Sequence, residues 1–305
     1  MKIQLPVEII ANVFSFLSIK ESMALIDAVP NNLKQVLYNR IYLNKILLLA
    51  ELSSYNPNDW EVVIDLDGLQ AWFSDAYFMK VHLKYLYISF NGLDDGEDEY
   101  FQYGQQLKSL IDDHRPYFQS IDRIDVYLDA HVTNVKQVVT ILHSISHNIF
   151  NIIIWNDDSG LLDFEIWGQF DSFENLSSLD LSMNCIDDEA SPDALQALKF
   201  PANLQELHLN NNNLSNITPQ FIENLPKSLK KLHLKDNILQ EWDCNLDCLP
   251  NLQYLDLADN ELNDINLDNF NRPNLTLNLY GNLLDIDKEI QLETKAANIG
   301  INVIL

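Results

Sequence analysis

An eleven-residue phrase recurs down this chain, and no other feature restricts its fold as tightly. In register the copies are LKYLYISFNGL from Leu83, LSSLDLSMNCI from Leu176, LQELHLNNNNL from Leu204, LKKLHLKDNIL from Leu229 and LQYLDLADNEL from Leu252, each of the form LxxLxLxxNxL. Looser copies begin at Ile121, Ile149 and Asn274. The asparagine slot falls at residues 91, 129, 157, 184, 212, 237, 260 and 282, with Asp129 and Asp157 in place of asparagine, so successive copies lie 22 to 38 residues apart. A unit of that length cannot bury an apolar face by itself and must stack on its neighbours.

Each part of the phrase has a physical reading. Two leucines two residues apart leave a strand on the same side and enter a core, while the residues between them face out. A sharp turn must follow, and an asparagine inside it satisfies backbone groups that the turn leaves unpaired. The chain then returns along the outside. Residues 191–198 and 218–225 each read as a cap, a first-turn proline and an amphipathic helix, and Val135, Val138, Val139, Leu142 and Ile145 mark a longer helix earlier on. Glu61 to Leu69 reads as an irregular first strand, Asp287 to Asn298 as a helix and Ile301 to Leu305 as a last strand, the caps that an array needs at its ends. Residues 60–305 resemble the leucine-rich-repeat family, which implies an α/β solenoid of horseshoe form.

In such an array the outward strand positions form a concave wall. The sequence predicts that Tyr85, Tyr87, Tyr127, Ile153 and Trp155 gather there as an apolar cluster that binds a protein substrate, with His208, Lys231, His233 and Lys235 as a second, acid-reading group. The acidic run from Asp94 to Glu99 reads as a solvated loop.

The front of the chain is a different object. Residues 1–50 carry five basic and three acidic side chains, whereas the whole chain has a net charge of -26. Ile9, Ile10, Val13, Phe14, Phe16 and Leu17 span an arc of roughly 160° on a helix, wider than the stripe a small core needs. Ser18 caps a second helical stretch that Pro30 ends, and residues 32–46 read as a third. Leu5-Pro6-Val7-Glu8-Ile9, Val13-Phe14-Ser15-Phe16-Leu17, Ala24-Leu25-Ile26 and Val29 to Leu33 together resemble the F-box, here residues 1–48. That resemblance implies docking of a Skp-type cullin adaptor through Leu5, Pro6, Ile9, Val13, Phe14 and Leu17, and hence the substrate-recognition subunit of an SCF ubiquitin ligase. The alternative is a non-catalytic interaction scaffold whose front helices only cap the array.

Enzyme chemistry finds no support in the motifs. The chain has no Gly-rich phosphate loop, HExxH, GxSxG or Cys-x-x-Cys, so neither a metal nor another cofactor is expected. His143 and His147 stand four apart without a nearby third ligand, and the Asp65-Leu66-Asp67-Gly68 stretch has Ala76 where a calcium loop places glutamate. A pI near 4.3 speaks against a nucleic-acid partner. Three cysteines, an acid at position 8 and the absence of a long apolar run lead to the expectation of a cytoplasmic or nuclear protein without a membrane segment. The sequons at Asn175, Asn213, Asn216 and Asn274 would then go unused.

Overall fold

The computed structural model describes residues 28–31, 33–35, 38, 46–49, 61–74, 78–89, 97–129, 142–155, 170–187, 194–270 and 272–305. Leu5, Pro6, Ile9, Val13, Phe14 and Leu17 lie outside the described residues. The chain divides into two compact units, residues 1–127 and 128–305.

In the first unit, β1 (Ile46–Leu49) pairs in parallel with both β2 (Glu61–Ile64) and β3 (Tyr85–Ser89), and β3 pairs with the start of β4 (Arg123–Asp129). Alternation explains β3 and β4: Leu86, Ile88, Ile124 and Val126 are buried to 1% exposure or less, and the residues between them face the other way. Two helices pack here, α1 (Leu66–Phe73) and α2 (Glu97–Asp113), with a short α3 (Arg115–Phe118) after them. Leu107, Leu110 and Ile111 give α2 its buried stripe.

Three expectations change in this unit. Only Glu61–Ile64 of the predicted first strand is extended, because the Asp65 carboxylate accepts a hydrogen bond from the Gly68 N–H (2.7 Å) and starts α1 there. Asp65 thus serves as a helix cap. Glu97 to Glu99, read as loop, open α2, where carboxylates suit the positive end of a helix. Residues 46–48, assigned to the front segment, run as strand, so Ile46, expected as the last residue of the third helical stretch, is extended instead.

The second unit stacks seven described strands in chain order: β5 (Ile149–Trp155), β6 (Ser178–Asp180), β7 (Glu206–His208), β8 (Lys231–His233), β9 (Tyr254–Asp256), β10 (Thr276–Asn278) and β11 (Asn302–Ile304). All pairs are parallel, and Ile152, Leu179, Leu207, Leu232, Leu255 and Leu277 lie opposite one another, each fully buried. The return segments carry α4 (Ala194–Ala197), α5 (Pro219–Asn224) and α6 (Ile286–Ile299). Thr218 caps α5 through its hydroxyl, which accepts from the Phe221 N–H at 3.2 Å, and Pro219 follows in the first turn. Asp285 caps α6, and Gly300 closes it in the left-handed conformation.

The asparagine slot ties the coils together. The Asn237 amide NH2 donates to Leu209 O and Leu234 O, both at 3.0 Å, while its carbonyl accepts from the Leu214 N–H at 3.1 Å. Asn260 repeats this with Leu234 O, Leu257 O and the Leu239 N–H, and Asn282 with Leu257 O, Leu279 O and the Leu262 N–H. Asn212 accepts from the N–H groups of Asn184 and Ile186. Each amide therefore joins its own turn to the coil before it. The residue preceding the slot is left-handed in all five turns: Met183, Asn211, Asp236, Asp259 and Gly281. Asparagine, aspartate and glycine tolerate that conformation; Met183 does not fit the pattern.

Candidate functional site

In-register parallel strands place equivalent outward residues in rows about 4.8 Å apart. One row runs Ser178, Glu206, Lys231, Tyr254, Thr276 and Asn302, and the next runs Asp180, His208, His233, Asp256, Asn278 and Ile304. Strand spacing stacks the His208 and His233 rings, with centroids 4.2 Å apart and planes within 5°. Tyr254 leans on His233 at 5.2 Å. Asp256, only 7% exposed, accepts from the Tyr254 hydroxyl (3.0 Å), the Asn278 amide (2.9 Å) and the Ala258 N–H (3.1 Å), and His233 Nδ1 stands 3.9 Å away.

The electrostatics follow from these contacts. Burial works against the charged form of Asp256, but the attraction of His233 and the donated hydrogen bonds outweigh it and hold the carboxyl below the usual carboxylate range. Burial, followed by the neighbouring His233, pushes the His208 pKa down, so His208 is neutral at pH 7. Lys231 pairs with Glu206 at 2.7 Å, and Lys235 with Asp259 at 3.1 Å. The four residues expected to read acids do come together on one face. Lys231, His233 and Lys235 each already face an acid, Glu206, Asp256 and Asp259 respectively, a pairing that the sequence spacing could not show. Asp256 and Tyr254 belong to the site as well; their signal was the same outward strand position, read without its neighbours.

The aromatic expectation divides between the units. Tyr85, Tyr87 and Tyr127 lie in the first and Ile153 and Trp155 in the second, and all five are half-buried. Tyr85 gives its hydroxyl hydrogen to Asp125, a carboxylate only 3% exposed. Arg123 meets the same carboxylate through two 2.9 Å bonds while stacking over the Tyr85 ring. Burial, then the bond to Asp125, raises the Tyr85 pKa. Tyr85 is thus committed to a network of its own unit.

Among the described residues the most exposed large apolar side chains are Tyr280, Leu283, Ile286 and Ile290, all in the last coil.

Comparison with known proteins places leucine-rich repeats on these coils: two family models, each described as leucine-rich repeat, match residues 202–262 and 174–190. No F-box domain is detected. Toll-like receptor 9 of Mus musculus is 49% identical over 75 residues, 24% of this chain and 7% of that protein. Lumican of Bos taurus is 27% identical over 241 residues, covering 70% of the chain and 66% of lumican, and osteomodulin of Bos taurus is 27% identical over 216 residues, covering 70% and 44%. The chain spans under a tenth of the length of the Toll-like receptors it matches. These relatives correct one expectation. A receptor, lumican and osteomodulin point away from a cytoplasmic or nuclear location, and the reasoning from cysteine count does not hold against them. The argument that set the sequons aside loses its premise too; Asn175, Asn213, Asn216 and Asn274 are all exposed.

Proposed function

We propose that this chain is a non-catalytic leucine-rich-repeat scaffold that binds another protein through the outward strand face of its second unit. The observation that carries the reading is the ordered wall of His208, His233, Tyr254, Asp256 and Asn278. These side chains hold one another in place through stacking and hydrogen bonds, so a partner meets a face whose rotamer entropy is already spent. Ile153 and Trp155 extend the same face with apolar area. With its cations matched by acids, the wall favours a partner read by shape and hydrogen bonding over one read by net charge. Replacing Tyr254 and His208 together by alanine should weaken capture of a partner by about tenfold or more, whereas Gln220→Ala, on the exposed side of α5, should not. Equal capture by both variants would reject the face.

A second reading rests on the front motif Leu5-Pro6-Val7-Glu8-Ile9 with Val13 to Leu17: an F-box that docks a Skp-type adaptor and makes the chain an SCF substrate receptor. Immobilised full-length chain that retains purified adaptor, and loses it on joint replacement of Ile9 and Phe14 by alanine, supports that reading. No retention at micromolar adaptor rejects it.

A further inference from the structure

The cations of the second unit fall into two sets. Lys231, Lys235, Lys288 and Lys295 each hold an acid. Lys199, Lys227, Lys230 and Arg272 pair with none among the described residues, although the chain has 45 acids against 19 lysines and arginines. Lys230 instead gives its ammonium to the Gln205 side-chain carbonyl (2.7 Å). Arg272 donates through Nη2 to Leu246 O (2.7 Å), and its buried Nε has no hydrogen-bond partner among the described residues.

All four cations stand where the chain enters a strand. Residues 198–205, 226–230, 249–253 and 272–275 lead into β7, β8, β9 and β10 and contain no aspartate or glutamate. The Lys230 N–H donates to Gln205 O (2.7 Å), the Gln253 N–H to Lys230 O (2.8 Å) and the Thr276 N–H to Gln253 O (2.8 Å), so the entries lie side by side. Three strand spacings span about 14 Å. The turns that leave the same strands carry Asp236, Asp259 and Glu261, so charge of opposite sign marks the two ends of each strand. Between the entries of β9 and β10 lies a hollow of about 610 Å³, whose wall includes Lys231, Gln253, Tyr254, Arg272, Asn274 and Thr276 and, among the described residues, no carboxylate. Ammonium, guanidinium, amide and hydroxyl groups make that wall rich in donors.

We propose that this strand-entry edge docks an extended acidic segment of a partner protein, with one carboxylate seated in the hollow beside Arg272 and Lys231 and others along Lys227, Lys230 and Lys199. Alternate side chains of an extended peptide recur about every 7 Å on one side, so three carboxylates match the length of the edge. Pro250, Pro273 and Tyr254 give the hollow an apolar floor for the peptide itself. A polyanion of high charge density suits the edge less well, because the net charge of -26 repels it as a whole, whereas a few carboxylates meet chiefly the local cations. The edge adjoins the strand wall, and its binding of acid does not depend on the function proposed above.

Fluorescence anisotropy tests the proposal, with a labelled peptide of alternating glutamate and glycine, about twelve residues long, titrated with the 305-residue chain. The expected dissociation constant is on the order of 100 µM at about 0.05 M NaCl and several-fold weaker at about 0.3 M, and the glutamine–glycine counterpart should not bind. Lys199, Lys227 and Lys230 are exposed, so their joint replacement by glutamine should weaken binding about tenfold with an unchanged thermal melt. Joint replacement of Lys108, Lys288 and Lys295 by glutamine alters the net charge equally, away from the edge, and should leave binding as in the parent chain. Gln253→Glu puts a carboxylate in the hollow and should weaken binding by itself. Equal binding by the two triple variants, or no binding of the glutamate peptide at about 300 µM chain, overturns the proposal. A sulfated oligosaccharide of matched charge that binds more tightly than the peptide at both salts, and is lost in the edge variant, would assign the edge to polyanions and also overturn it.

Discussion

Asn237→Ala tests whether the slot asparagines hold the coils together. Asn237 is 6% exposed and spans two coils through bonds to Leu209 O, Leu234 O and the Leu214 N–H. Alanine leaves the Leu214 N–H buried without an acceptor, at about 1–3 kcal/mol, and forfeits roughly 1 kcal/mol for the bonds to the two carbonyls. The expected cost is about 3 kcal/mol. Asn237→Asp discriminates further. Its carboxylate can accept from Leu214 but meets two carbonyl oxygens where the amide had donated. The buried acid then has a folded pKa above its unfolded value of about 3.9, so the loss relative to the parent chain is full at neutral pH and fades as pH falls toward 4. Because repeat arrays need not unfold in one step, urea unfolding followed by tryptophan emission should be paired with hydrogen exchange across residues 204–262. A loss under about 1 kcal/mol for the alanine variant, or an aspartate variant matching the parent at pH 7, would refute the inter-coil role.

Met183 is left-handed at the position before a slot asparagine where the other described coils have Asn, Asp or Gly, and it is 46% exposed, so Met183→Asn should stabilise the chain by about 1 kcal/mol in the same urea assay. Cys244 is buried, its thiol donates to Ile217 O, and burial pushes its pKa up to about 12; it should resist a thiol reagent at pH 8 until the chain unfolds, when all three cysteines react. His208 has a folded pKa below its unfolded value of about 6.5, so the folded state is penalised progressively as pH falls below that value; His208→Gln should lose less stability between pH 7 and 5 than the parent chain, measured by thermal melts.

Periodicity made most of the second unit legible. The LxL leucines fixed which side of each strand is core, and Thr218-Pro219 announced α5, because both signals are local. The inter-coil bonds of the asparagines were less visible: a turn amide was foreseeable, but its partners lie 20 to 31 residues away. The first unit was harder, since its copies are farther apart and Asp65 and Glu97 to Glu99 act through helix ends that no repeat predicts. At the candidate site the sequence named His208, Lys231, His233 and Lys235, of which register sets His208 opposite His233. It could not see that Glu206, Asp256 and Asp259 would stand beside Lys231, His233 and Lys235, because pairing across strands depends on register. Nor did it single out Ile286 and Ile290, whose exposure is set by which flank of α6 Lys288 and Lys295 turn toward the preceding coil.

The claim that the outward strand face binds a partner is tested most directly by placing a photo-cross-linking side chain at Tyr254 and, separately, at Gln220. The account predicts a discrete adduct of defined mass from position 254, suppressed in the His208→Ala background, and none above background from position 220. Adducts of equal yield from both positions, or none from position 254 under conditions where the intact chain retains a partner, would contradict it.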